Sequence, residues 1–187
     1  MFIQLRDFEE NDLENYFSLN HPNRSFHKLN GPYFKKVDEE GLLKRIEDYR
    51  LTFKKGQQPL KTAQMIVNEN NRVLGQVSCY WKSQETNWLE IGIVIYDEED
   101  WGKGIGLKAM TLWINHIFNE RPDLHRIGLT TWSGNHGMMK LSGKLGMVCE
   151  ARYRQARIVE GIFYDSVSYG ILREEWVRGV DHSRSSK

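Results

Sequence analysis

The chain has little sulfur chemistry to offer. Cys79 and Cys149 are its two cysteines, and no C-x-x-C pair or His-Cys cluster accompanies them. Neither a disulfide framework nor a Cys/His metal site follows from that pattern, so no metal is expected and a reducing cytoplasm is the expected setting. There is also no apolar run long enough to span a bilayer, and the opening residues turn charged at Arg6 and Asp7, too early for the apolar core of a signal peptide. A soluble protein with no membrane partner is expected. An excess of charge of one sign is missing as well: 26 Lys and Arg stand against 25 Asp and Glu, for a formal net charge of +1. With no whole-chain field to recruit nucleic acid, no nucleic-acid partner is expected, and any phosphate site must be local. Internal repeats and low-complexity segments are absent. Only the polar stretch 180–187 reads as a flexible tail.

What is present is enough apolar content, 40% of the residues, for one domain over 1–179 with a substantial core. Phe2, Ile3 and Leu5 read as a short strand, and Leu13, Tyr16 and Phe17 then fall at helical spacing. From Asn20 to Lys36 the residues are those of a loop, with His27, Tyr33 and Phe34 as its notable side chains. Asp38 is placed to cap a helix from Glu39 to Phe53 whose apolar face is Leu42, Leu43, Ile46, Tyr49 and Phe53. Strand alternation follows over 62–67, 72–81 and 88–96, joined by short polar turns, so these strands are expected as antiparallel neighbours.

A loop with glycine at 102, 104 and 106 comes next, and Leu107, Met110, Ile114, Ile117 and Phe118 then line a helix that must stop near Arg121 and Pro122. A strand over 125–132, a helix from Met138 to Leu145 closed by Gly146, and a hairpin of strands from Val148 to Val159 and from Ile162 to Trp176, turning at Glu160 and Gly161, complete the chain. The predicted order is β-α-α-β-β-β-α-β-α-β-β, an α/β fold whose mixed, mostly antiparallel sheet is flanked by helices.

The stretch from Trp88 through Gly106 organises the rest. A strand that stops in a glycine loop leaves N–H groups unpaired at the first turn of the following helix, a place to hold phosphate. Glycine also permits positive φ there and removes the side chains that would stand in an anion's way. The loop is not a Walker loop, because no Gly-Lys-Ser/Thr closes it, and Leu107 occupies the last glycine place of a dinucleotide fingerprint. Glycine spacing alone leaves a tight strand-to-helix turn equally open.

Trp101, Gly102, Lys103, Gly104, Ile105 and Gly106, together with Asn135, Met138, Leu141 and the Gly146-Met147 pair downstream, resemble the GNAT superfamily of acetyl-CoA-dependent N-acyltransferases. The loop is similar to that family's pyrophosphate loop, Gln/Arg-x-x-Gly-x-Gly/Ala. Trp101 departs from its first place in a way seen in the Rim-type branch, which acetylates ribosomal-protein N-termini. The stretch from Tyr153 to Trp176 resembles the same branch. The resemblance covers nearly the whole chain and is weakest over 20–60.

The resemblance implies acetyl-CoA as cosubstrate and a primary amine as acceptor, either a protein N-terminus or a small molecule. It implies a splayed strand whose backbone at Ile93, Val94 and Ile95 binds the pantetheine arm, with an N–H near Val94 facing the thioester oxygen. Residues 101–106 would hold the diphosphate, Lys103 would add charge and Asn135 would bond the arm. Glu90 is the candidate base, its side chain facing opposite to Leu89 and Ile91, and it reads equally as a solvated or salt-bridged strand glutamate. Ser142 falls where many members carry a tyrosine acid, and it reads also as a serine facing solvent. An acyl-CoA sensor without catalysis and a nucleotide-binding module are the competing classes. The exposed edge of the C-terminal hairpin admits a homodimer.

Overall fold

The computed structural model describes residues 2–178; the expected tail at 180–187 lies outside the described residues. Seven strands are present: β1 (Ile3–Arg6), β2 (Ala63–Asn68), β3 (Val73–Ser83), β4 (Trp88–Ile95), β5 (Arg126–Trp132), β6 (Val148–Val159) and β7 (Ile162–Leu172). The helices are α1 (Leu13–Asn20), α2 (Glu39–Lys54), α3 (Ile105–Glu120) and α4 (His136–Lys144), so the element order is the one the sequence predicts. The strands form a single sheet in the order β1-β2-β3-β4-β5-β7-β6. Pairing is antiparallel for β1 with β2, β2 with β3, β5 with β7 and β6 with β7, and parallel for β4 with β5.

The described chain divides into two compact units. The first holds the residues up to Ser78 together with Ile93–Ala109. Its core is built from Phe8, Leu13, Tyr16, Leu42, Ile46, Met65 and Val67. Phe8, Tyr16 and Tyr49 meet edge to face with ring centroids 5.4–5.7 Å apart, the arrangement aromatic quadrupoles prefer. Asp38 does cap α2, accepting from the Gly41 N–H at 2.9 Å. Leu43, expected on the buried face, is instead 57% exposed: Leu42, Ile46, Tyr49 and Phe53 recur at helical spacing, and Leu43 lies one residue, a quarter turn, off that stripe.

The second unit holds Cys79–Gly92 and the residues from Met110 on. Leu89, Ile91, Ile127, Leu129, Val167 and Ile171 are buried on its strands, and Met110, Ile114, Ile117 and Phe118 on its part of α3. The β6–β7 hairpin turns at Glu160 and Gly161 with φ of 51° and 79°, the paired positive values of a type I′ turn. The sequence suggests that β7 continues to Trp176, but the strand stops at Leu172 and residues 173–178 are helical. One local and three long-range bonds end it: the Leu172 N–H donates to Glu175 Oε2 at 2.9 Å, and the Arg173 guanidinium donates to the carbonyls of Phe118, Arg121 and Leu124 at 3.1, 2.6 and 2.8 Å. Arg173 thereby satisfies carbonyls at the C-terminal end of α3 that the helix itself cannot.

Candidate active site

β4 pairs with β5 at only two register positions, Leu89 with Ile127 and Glu90 with Gly128. Farther along β4, the backbone directions follow from two observations within the first unit. The Val94 carbonyl oxygen lies 2.1 Å from where a Cβ on Gly75 would stand, so it is turned onto β3 and only glycine fits at 75. The Tyr96 N–H donates to the Leu74 carbonyl at 3.0 Å, again toward β3. All described peptides are trans, so the carbonyl of one residue and the N–H of the next point opposite ways. Both the N–H and the carbonyl of Ile95 therefore point away from β3. Val94 commits its carbonyl to β3, which bears on the N–H near Val94 that was expected to face a thioester. Ile95 is the residue that offers a donor on the other side, and its carbonyl accepts from Trp101 Nε1 at 3.0 Å.

That indole bond anchors the loop that follows. Gly102 and Gly104 adopt φ of 74° and 81°, both are exposed, and a Cβ on either would meet no atom within 4 Å. Among the described residues, the backbone N–H groups of Gly102, Lys103, Gly104, Ile105 and Gly106 find no hydrogen-bond acceptor. Unpaired amides at a helix entrance, with no side chain over them, form an anion-binding concavity.

Beneath the loop is a charge network that the sequence did not reveal. Asp100 is 4% exposed and accepts from Arg72 Nη2 at 2.9 Å and from Lys103 Nζ at 3.3 Å. Asp97 pairs with Arg24 and with Arg72 Nη1, the latter at 3.8 Å. Arg72 comes from the β2–β3 turn and Arg24 from the long loop before α2, so the glycine loop is tied to both. Lys103, expected to meet phosphate as a point charge, is held by Asp100.

The family model for the acetyltransferase (GNAT) domain matches residues 3–148. The chain belongs to the GNAT acetyltransferase family. Among relatives, it is 24% identical over 110 residues to the SPbeta prophage-derived uncharacterized N-acetyltransferase YokL of Bacillus subtilis (strain 168), covering 59% of this chain and 61% of that one. It is 30% identical over 102 residues to YdaF of the same organism, provisionally named a ribosomal N-acetyltransferase, covering 54% and 55%. The chain thus spans less than two thirds of the length of the curated relatives it matches. Spermidine N-acetyltransferase from Vibrio cholerae, solved with CoA and spermine, superposes with a TM-score of 0.73 at 20% identity, covering 94% of this chain and 98% of that one.

GNAT members use acetyl-CoA, and the residues present fit its diphosphate: the acceptor-less amides of residues 102–106 are the observation that decides it. In the second unit of this GNAT chain, Glu90 is 2% exposed. Its Oε2 accepts from the Tyr80 hydroxyl at 2.6 Å and its Oε1 from the Thr130 hydroxyl at 3.1 Å, and Thr130 Oγ1 lies 3.1 Å from Ser168 Oγ. The solvated or salt-bridged glutamate is not what is found: no cation pairs with Glu90 among the described residues. Asn135 is the N-cap of α4, its Oδ1 accepting from the Met138 N–H at 3.0 Å. Ser142 does not face solvent; it is 0% exposed and donates its proton to the Met138 carbonyl at 2.9 Å. Both residues bond to the helix they sit on.

Among the other tempting side chains, Phe34 is 68% exposed and pairs with the Tyr33 ring at 4.8 Å, while His27 stacks on Phe26 with Nε2 3.3 Å from the Asn20 carbonyl. Within the described residues no group of three or more His, Cys, Asp or Glu is placed to hold a metal ion, and no helix is long and apolar enough to cross a membrane.

Proposed function

We propose that this chain moves acetyl from acetyl-CoA to a primary amine by direct attack in a ternary complex, and that it belongs to the Rim-type branch, acting as one domain over 1–179 in the cytoplasm without a metal. The row of acceptor-less amides at the entrance of α3 carries the reading. The partly matching relative named for ribosomal N-acetylation supports a protein N-terminus as acceptor, and the structural neighbour that acetylates spermidine supports a polyamine.

In this reading acetyl-CoA supplies an activated thioester. The amides of residues 102–106 bind its diphosphate, and the half-buried stretch of Ile93, Val94 and Ile95, through the groups it turns away from β3, takes up the pantetheine arm as an added strand would be taken up. The Ile95 N–H, directed away from β3, stabilises negative charge developing on the thioester oxygen; a donor in that role is worth about 3 kcal/mol of barrier. Glu90 accepts the proton that the acceptor ammonium sheds before it attacks. The Ser142 hydroxyl is directed at the Met138 carbonyl, so the departing thiolate takes its proton from water; a thiol with a pKa near ~8.5 needs little help. Asn135 holds the start of α4 and bonds the arm from there. The exposed edge strand β6 supports a homodimer, which sedimentation would check.

Thiol release from acetyl-CoA, measured against spermidine and short peptides with free N-termini, tests the activity. Calorimetry with CoA, ATP and NAD tests the site. Turnover with at least one amine and tight binding of CoA alone are expected. Binding without turnover would make the chain a sensor, and equal affinity for the three ligands would overturn the family chemistry at this loop.

A further inference from the structure

Glu90 presents a difficulty that its neighbours resolve. It is 2% exposed, and both of its oxygens already accept from hydroxyl groups, so an amine arriving from solvent has no direct path to it. The hydroxyls belong to a row that crosses four adjacent strands: Tyr80 on β3, Glu90 on β4, Thr130 on β5 and Ser168 on β7, with Thr130 and Ser168 as register partners. An ionised carboxylate only accepts, so Tyr80 and Thr130 each give it their single hydroxyl proton, and Ser168 then donates to Thr130. Every proton in the row is directed at Glu90. Tyr80 is the one member of the row whose side chain is exposed, at 51%, and its contact with Glu90 is the shortest, at 2.6 Å.

We propose that Tyr80 is a second catalytic residue, relaying the proton of the acceptor amine to Glu90. This rests on the reading of Glu90 as the base. The acceptor arrives as an ammonium: one N–H bond breaks, its electron pair stays on nitrogen, and nitrogen uses that pair to bond to the acetyl carbon. This first proton passes to the Tyr80 oxygen while the proton Tyr80 held passes to Glu90 Oε2. A second N–H proton leaves to water as the C–S bond breaks, and the sulfur takes the bond's electron pair and a proton from water. Tyr80 ends as a neutral phenol, as it began, and Glu90 ends as a carboxylic acid, which returns the proton to solvent through the same hydroxyl. A phenol oxygen can accept while it donates, which a relay requires. Phenylalanine at this position would keep the ring and remove the path.

The test compares Tyr80→Phe, Glu90→Gln and the double variant by thiol release, with spermidine and Ala- or Ser-initiated peptides as acceptors. Tyr80→Phe should lower kcat/KM by about 100-fold or more, the scale of general-base catalysis, and leave the Kd for acetyl-CoA unchanged. The double variant should be no worse than the poorer single one, because both changes cut the same path. With peptide acceptors the Tyr80→Phe defect should shrink as pH rises from about 6 to about 9, since an α-amine with a pKa near ~8 sheds its proton unaided there. A tyrosine that only shaped the site would give a defect that does not change with pH, and that result would overturn the relay. On the unmodified protein, kcat in mixtures of light and heavy water should curve with two protons in flight; a linear dependence would also overturn it. Wild-type kcat/KM for Tyr80→Phe beside an impaired Glu90→Gln would remove the relay and keep the base, whereas wild-type behaviour of both would remove the base as well.

Discussion

Replacing Gly75 with alanine tests how β4 is held. The new Cβ would stand 2.1 Å from the Val94 carbonyl oxygen and 3.1 Å from the Ile95 Cα. Ordinary contact starts at 3.4 Å, so the carbonyl would have to retreat by the difference, about 1.3 Å, and it is backbone rather than a flexible side chain. Overpacking of this kind costs about 1–3 kcal/mol, which for a chain of this size lowers Tm by roughly 2–4 °C per kcal/mol. The functional effect should be larger. The peptide that is pushed joins Val94 to Ile95, and a misplacement of about 1 Å at a catalytic donor costs on the order of 100-fold in rate. The expected pattern is therefore a modest loss of Tm, a fall in kcat of roughly two orders of magnitude, and a Kd for CoA that moves far less, because the loop amides begin several residues later. Differential scanning fluorimetry, thiol release and calorimetry read the three quantities. A Gly75→Ala protein with wild-type Tm and wild-type kcat would refute both the close approach and the role given to the Ile95 N–H.

Three further outcomes are expected. Asp100→Asn should destabilise the chain by about 1–2 kcal/mol in urea unfolding, less than the ~3–5 kcal/mol of a fully buried pair, because Arg72 and Lys103 are each about half exposed. Ser142→Ala should leave kcat within about threefold and shift stability by no more than about 1 kcal/mol, since the lost hydroxyl bonded only its own helix; a hundredfold loss of kcat would restore it as the acid. The Gln155 N–H, and then the Arg152 guanidinium, hold the Asp165 carboxyl below its ordinary 3.8, so its contribution to stability is whole above that value and is lost as pH falls toward the lower folded one. Asp165→Asn should accordingly narrow the gap in urea stability between about pH 5 and about pH 3, and an unchanged gap would count against that linkage.

Features set by neighbours in the chain were legible in the sequence. Apolar spacing placed the four helices, Asp38 announced the cap of α2, and the Glu160-Gly161 pair announced a turn that needs positive φ twice. The glycine loop was legible for the same reason, because its amides are left unpaired by local geometry alone. Residues that act across the sheet were not. Nothing near Gly75 says that the Val94 carbonyl, nineteen positions later, will occupy its side-chain space, and nothing near Asp100 calls for Arg72. Tyr80 stayed hidden because an exposed tyrosine near the end of a strand is ordinary until its hydroxyl is seen on Glu90. Asn135 and Ser142, assigned by analogy to a cosubstrate, also bond to their own helix, contacts that the spacing of residues did not announce. The end of β7 was misplaced because Arg173, a long-range cap for α3, outweighed the strand alternation around it.

The pairing of Lys103 and Arg72 with Asp100 bears on how the protein should respond to its medium. Arg24, Arg72 and Lys103 share only Asp97 and Asp100, so a single positive charge is left over, and an incoming diphosphate is drawn by that charge together with oriented peptide dipoles, which act only at short range and which dissolved ions scarcely weaken. Affinity for CoA should then fall only shallowly as sodium chloride is raised from dilute to physiological strength. A pocket relying on unpaired lysines would lose its hold over the same interval.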